Sequence, residues 1–106
     1  MNYKEQAYTV IYNLAKENQR EHNSPFPFVE AATIVNAWNE KRYLGELHFP
    51  EAMTGTDLLQ LLDTAGLIHK TTIQIAEDEA KLLEEKIVTI VYPMKNPKYF
   101  RGKKNE

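Results

Sequence analysis

The residues of this chain with the greatest chemical capacity stand apart from one another. Its three histidines, His22, His48 and His69, are widely separated and lack a paired spacing for holding a metal. Cysteine is absent, which excludes thiol nucleophiles, disulfides and sulfur-ligated zinc or iron centres. Glu77, Asp78 and Glu79 form a carboxylate run that suits the first turn of a helix, where negative groups complement unpaired N–H groups and the helix dipole. Asp57 and Asp63 are six positions apart and do not project squarely from one helical face, so they give little local support for acid–base work. Thr54, Thr56, Thr71 and Thr72 carry no nucleophile pattern, and capping and strand roles account for them. Gly45, Gly55, Gly66 and Gly102 are isolated, unlike the glycines of a phosphate-cradling loop. The expectation is a protein that is not an enzyme and uses no cofactor or metal.

Charge offers a second kind of chemistry. Residues 1–94 hold eight Lys or Arg against fourteen Asp or Glu, whereas residues 95–106 hold five Lys or Arg against Glu106 alone. Lys95, Lys98 and Arg101, with Lys103 and Lys104, are therefore candidates for phosphate contact, with Tyr92, Tyr99 or Phe100 available for stacking. An acidic body repels a phosphate backbone unless its few cations gather on one surface. A solubilising tail explains the same residues without any ligand.

The elements that must position these groups follow from periodicity. Ala7, Val10, Ile11 and Leu14 form an apolar stripe that predicts a helix from about Tyr3 to Arg20, with Tyr8 and Tyr12 at its margin, placed to close the rim or meet a partner. Pro25 and Pro27 break the chain, and a second helix is expected from Pro27 or Phe28 to about Arg42. Its packing stripe is Phe28, Ala31, Ala32, Val35 and Trp38, with Ile34 at the side. Leu47 and Phe49 alternate as in a short extended piece. A third helix begins near Pro50 or at a cap on Thr56, carries Leu58, Leu61, Leu62 and Ala65 inward, and ends at Gly66. Thr71 to Ile75 is β-branched and reads as strand, as does Ile87 to Tyr92 before Pro93. Between them, Ala76, Ala80, Leu83 and Ile87 recur at helical spacing, which predicts a fourth helix over Glu77 to Lys86. The expected class is α+β, four helices with a small β-sheet, the order and direction of its strands being open.

From Met53 to Ile68, the leucine helix followed by Ala65-Gly66-Leu67-Ile68 and a β-branched strand resembles part of a winged helix-turn-helix domain. The resemblance implies that the second helix of that motif enters the DNA major groove and that the following wing touches backbone or minor groove. Carried onto this chain, it makes Thr54, Thr56, Asp57 and Gln60 exposed recognition positions, with His69 and Lys70 at the start of the wing. It also implies one winged-helix-like domain over residues 1–94, followed by a basic C-terminal tail over 95–106. The helix lacks the Lys and Arg concentration of a typical DNA reader, and the fold also serves proteins that bind only other proteins.

At 106 residues with 42% apolar and 26% charged, the chain suits a single folding domain. No signal peptide or membrane-length apolar run is visible, and the absence of cysteine fits a reducing interior, so a cytoplasmic location is expected. The expected function is a small DNA-binding regulator of transcription, possible as a homodimer, that engages double-stranded DNA. The alternative is a non-enzymatic protein-binding module of phage or accessory type that modulates another protein.

Overall fold

Three helices form among the described residues, and each is defined at its ends by local hydrogen bonding. The computed structural model describes residues 2–76 and 85–94, with side chains described at 2–73 and 88–94. Helix α1 (Tyr3–His22) starts at Asn2, whose side-chain oxygen accepts the Glu5 N–H at 2.9 Å. It ends where Asn23 turns left-handed and the Asn23 and Ser24 N–H groups bond the Arg20 and Gln19 carbonyls. Helix α2 (Ala31–Tyr43) closes the same way through Gly45, at φ 76°, and α3 (Gly55–Thr64) through Gly66, at φ 79°. At those two glycines a Cβ would oppose the left-handed backbone that satisfies the final carbonyls.

The buried faces differ in detail from the expected stripes. Along α1 the fully buried set is Ala7, Tyr8, Ile11 and Ala15, while Val10 and Leu14 are partly covered. Tyr8 is thus a core residue, 4% exposed, rather than part of the rim, and its hydroxyl donates to the Met94 carbonyl at 2.8 Å. Along α2 the buried pair is Ile34 and Trp38; Ala32 is exposed and Val35 half-buried. Helix α2 also starts later than its apolar pattern suggests: Val29 and Glu30 form strand β1 (Val29–Glu30) instead of a first helical turn. Pairing with the sheet buries Val29 and satisfies backbone groups that helix initiation would have left open.

Strands β2 (Ile68–Ala76) and β3 (Glu85–Pro93) pair antiparallel from Ile68 opposite Pro93 to Ala76 opposite Glu85. Strand β1 adds to the other side of β3, Val29 opposite Val91, giving the order β1-β3-β2. The expected count of four helices is corrected to three among the described residues. Ala76 and Ile87, the ends of the helical spacing read for the fourth, both lie in the ladder, opposite Glu85 and Gln74, and Glu85 and Lys86 are strand residues. Residues 77–84, including the Glu77-Asp78-Glu79 run, lie outside the described residues. Strand pairing won at both ends because the β-branched runs supply two long partners in register, which local helical spacing does not outweigh.

Val29, Ile68 and Val91 are buried together with the helix residues Ile11, Ile34, Trp38, Leu58 and Leu62 in one core. The extended piece after α2 contributes Leu47 and Phe49 on the same side, with His48 exposed between them. The result is a small α+β domain in which α1, β1, α2, α3, β2 and β3 follow in a connectivity compatible with a winged-helix-like fold.

Candidate nucleic-acid interface

The candidate surface begins at the N-terminus of α3. Thr54, rather than Thr56, is its cap: the Thr54 hydroxyl oxygen accepts the Asp57 N–H, and the Asp57 carboxylate accepts the Thr54 N–H, each at 3.0 Å. This reciprocal box satisfies two groups that the helix end would otherwise expose. Hydrogen bonds from the Thr54 backbone and side chain hold the Asp57 carboxyl below its ordinary pKa, so it is a fixed negative charge at neutral pH. Two of the expected recognition positions therefore have structural work. Gly55 enters as the first helical residue because Val35 of α2 lies against it; a Cβ there would sit 2.9 Å from Val35 Cγ1.

One turn on, Leu58, Leu59 and Leu62 point into the core and leave Thr56, Gln60 and Thr64 exposed. These three recur every fourth residue and so share an outward strip. Gln60 is held at both ends of its amide: Lys70 Nζ donates to its Oε1 at 2.7 Å, and its Nε2 donates to Thr64 Oγ1 at 3.3 Å. The chain of contacts joins α3 to β2 and brings two of the expected site residues together.

His69 goes elsewhere. Successive strand residues point to opposite faces, so His69 and Lys70 cannot both accompany α3. The His69 ring stacks on Tyr92, its cross-strand partner, with centroids 6.2 Å apart, and Tyr92 meets Phe26 at 5.3 Å. Strand alternation at positions 69 and 70 carried that distinction in the sequence. Lys95, Lys98 and Arg101 lie outside the described residues.

Arg42 illustrates a residue whose role sequence spacing did not reveal. Its guanidinium donates to the carbonyl oxygens of Met53, Phe49 and Pro50 at 3.1, 3.3 and 2.6 Å. It also lies 3.9 Å from the Phe49 ring centroid. The planar fork thus braces the α2–α3 connection, and a cation that charge counting leaves available for phosphate is committed internally.

The strip around Gln60 consequently mixes hydroxyls, an amide and one ammonium with the carboxylates of Asp57 and Asp63. Such a set can exchange hydrogen bonds with base edges or a polar protein surface and supplies limited attraction for phosphate. Among the described residues there is no group of three His, Cys, Asp or Glu side chains placed to hold a metal ion. No helix among them is long and apolar enough to cross a membrane. Comparison with protein-family models, with curated proteins and with solved structures finds no match to this chain.

Proposed function

We propose that this protein is a small DNA-binding regulatory domain of winged-helix type, which places α3 against the major groove of duplex DNA. The observation that carries the proposal is the Lys70–Gln60–Thr64 chain, because it orients one amide on the outward strip of α3 and sets a strand cation beside it. A glutamine amide presents the donor and acceptor pair that matches the N7 and N6 edge of adenine. To read that edge, Gln60 exchanges its contacts with Lys70 and Thr64, and Lys70 is released to a neighbouring phosphate. The exchange conserves hydrogen bonds while converting an internal contact into one sensitive to sequence.

The acidic neighbours Asp57 and Asp63 keep nonspecific attraction low, so binding depends on the match at Gln60 more than on phosphate contacts, and its salt dependence is shallow. A homodimer spanning two half-sites belongs to the same proposal, and sedimentation over a concentration series tests it.

The test is selection from a randomised duplex pool across a salt series, followed by binding of Gln60→Ala and Thr56→Ala variants. Enrichment of a duplex site whose preference weakens in Gln60→Ala supports the proposal. Lack of retention at about 50 mM salt, with recovery of a nuclease-resistant, saturable protein complex, overturns it.

A second function has its own observation. Tyr43 is 90% exposed and Leu44 57% exposed where α2 gives way to the α3 connection. An aromatic and an aliphatic side chain presented together suit a protein partner, in which case Tyr43→Ala weakens capture of that partner without altering duplex binding.

A further inference from the structure

A groove of about 590 Å³ separates the C-terminal half of α1 from the sheet. Its apolar surface comes from Leu14, Phe28, Val29, Ile73, Val88 and Ile90. Val88 and Ile73 are cross-strand partners and so share a face, and Ile90 lies two residues along from Val88. Val88 and Ile90 stand outside the core cluster that joins helices to sheet and are themselves buried, 9% and 4% exposed, whereas Ile73 at the groove's edge remains 37% exposed and Leu14 half-buried. Three exposed carboxylates, Glu17, Glu21 and Glu30, edge the same groove; His22 is the titratable nitrogen beside them and bonds the Asn18 carbonyl oxygen at 3.1 Å. The groove therefore combines an apolar floor with a negative rim.

We infer that this groove is the docking site of the chain's own basic tail, residues 95–106, with Tyr99 and Phe100 on the apolar floor and Lys98 and Arg101 facing the carboxylates. Charge complementarity is the first reason: the tail carries five Lys or Arg and one acidic residue, opposite a rim of three glutamates. Position is the second. Met94, the last described residue, is held beside α1 by the Tyr8 hydroxyl at 2.8 Å. Glu17 and Glu21 lie nine and thirteen residues further along that helix, a distance of roughly 14 to 20 Å at its rise per residue. Tyr99 and Phe100 lie five and six residues beyond Met94, a reach of roughly 16 to 21 Å in extended chain. Asn96-Pro97 supplies a turn-favouring pair at the point where the chain must change direction.

Binding within one molecule needs little intrinsic affinity, because a short tether keeps the tail at high effective concentration. The docked tail holds its cations against glutamates, so a phosphate ligand of the tail must displace it from the groove.

The absence of cysteine makes the test direct. A Gly102→Cys chain carries a single thiol for a nitroxide label, and paramagnetic broadening is read in isotope-labelled full-length protein diluted into unlabelled, diamagnetic protein. The expected result is selective loss of the Leu14, Ile73, Val88 and Ile90 methyl signals. That loss should be relieved by Glu17→Lys with Glu21→Lys and Glu30→Lys, and reduced as salt shortens the screening length from about 10 Å at 0.1 M to about 3 Å at 1 M. Should the glutamate variant not fold, Lys98→Glu with Arg101→Glu tests the same contact from the tail side. No broadening at the groove, or broadening that survives charge reversal, overturns the proposal. Broadening seen only between nitroxide-labelled and separately isotope-labelled molecules assigns the occupant to a second copy and overturns it as well.

Discussion

Lys70 Nζ donates to Gln60 Oε1 across 2.7 Å, joining the second strand to the outward face of α3 through residues ten positions apart. Neither side chain contributes to the apolar core, so both can change without loss of the fold. Lys70→Met is expected to weaken duplex binding about evenly across sequences and to lower the salt slope by roughly 1. Gln60→Ala should instead cost about 1–3 kcal/mol at one base position and leave other positions unchanged. Parallel titrations of both variants on a selected site and its single-base changes separate the two effects; equal loss on every sequence from Gln60→Ala removes it as a reader.

Trp38 and Leu62 are both fully buried, and Trp38 Nε1 donates to the Ala7 carbonyl at 3.2 Å. Truncation to Ala should cost about 3–5 kcal/mol at Trp38 and about 2–5 kcal/mol at Leu62, read by denaturant unfolding. Trp38→Phe removes the hydrogen bond but keeps much of the ring volume, so its loss should be well below that of Trp38→Ala. Near-neutral Ala variants at either site contradict the core described here.

Gly55 is close-packed on Val35, with only 2.9 Å from an added Cβ to Val35 Cγ1. Gly55→Ala should therefore destabilise by about 1–3 kcal/mol despite the better helix propensity of alanine. Val35→Ala removes the obstructing methyls, so the double variant should lose less than the two single losses added together. Additive losses in that cycle would show that the two positions do not collide.

Asp57 provides an acid-sensitive element. Its folded-state pKa is lowered from 3.8 by hydrogen bonds from the Thr54 backbone and side chain. Its contribution is therefore complete above the unfolded value and is lost as pH falls through the folded one. Asp57→Asn keeps an oxygen acceptor but no charge, so it should melt lower than the parent at neutral pH, with the gap closing in acid. Thermal midpoints at about pH 7 and about pH 2.5 decide the matter; a constant gap means that ionisation is not the cause.

Tyr8 acts at the other end of the scale. Burial, reinforced by Tyr12, raises its pKa from 10.0 to about 12. As pH climbs from the first value towards the second, the unfolded chain releases the phenolic proton while the folded chain retains it, so stability falls. Tyr8→Phe lacks that component, and its stability should decline less steeply over the same range. Identical slopes for the two proteins would place the alkaline loss in other groups.

Local sequence signals determined the start of α1 at Tyr3 and the ends of α2 near Arg42 and of α3 near Gly66, but not the starts of α2 and α3. Apolar spacing around Ala7 and Ile11 and around Leu58 and Leu62 marked two helix faces, and Gly66 marked a terminus, because these depend on residues within a few positions of one another. Alternation likewise placed Leu47 and Phe49 on one side of a short piece of chain, and both are buried. The winged-helix resemblance of the leucine helix and following strand is compatible with the connectivity of the three helices and three strands among the described residues.

Tertiary structure decided what local spacing left open. Ala76 and Ile87 had a helical period but became strand residues because each found a partner on the opposite strand. Val29 left the expected helix to pair with Val91, and the buried side of α2 is formed by Ile34 and Trp38. Tyr8 moved from rim to core once Met94 was brought back across the fold to accept its hydroxyl. The candidate site divided for the same reason: adjacent residues His69 and Lys70 acquired partners on opposite faces, while Arg42 turned inward to three carbonyls. Periodicity fixes which residues share a face; only long-range pairing fixes what that face meets.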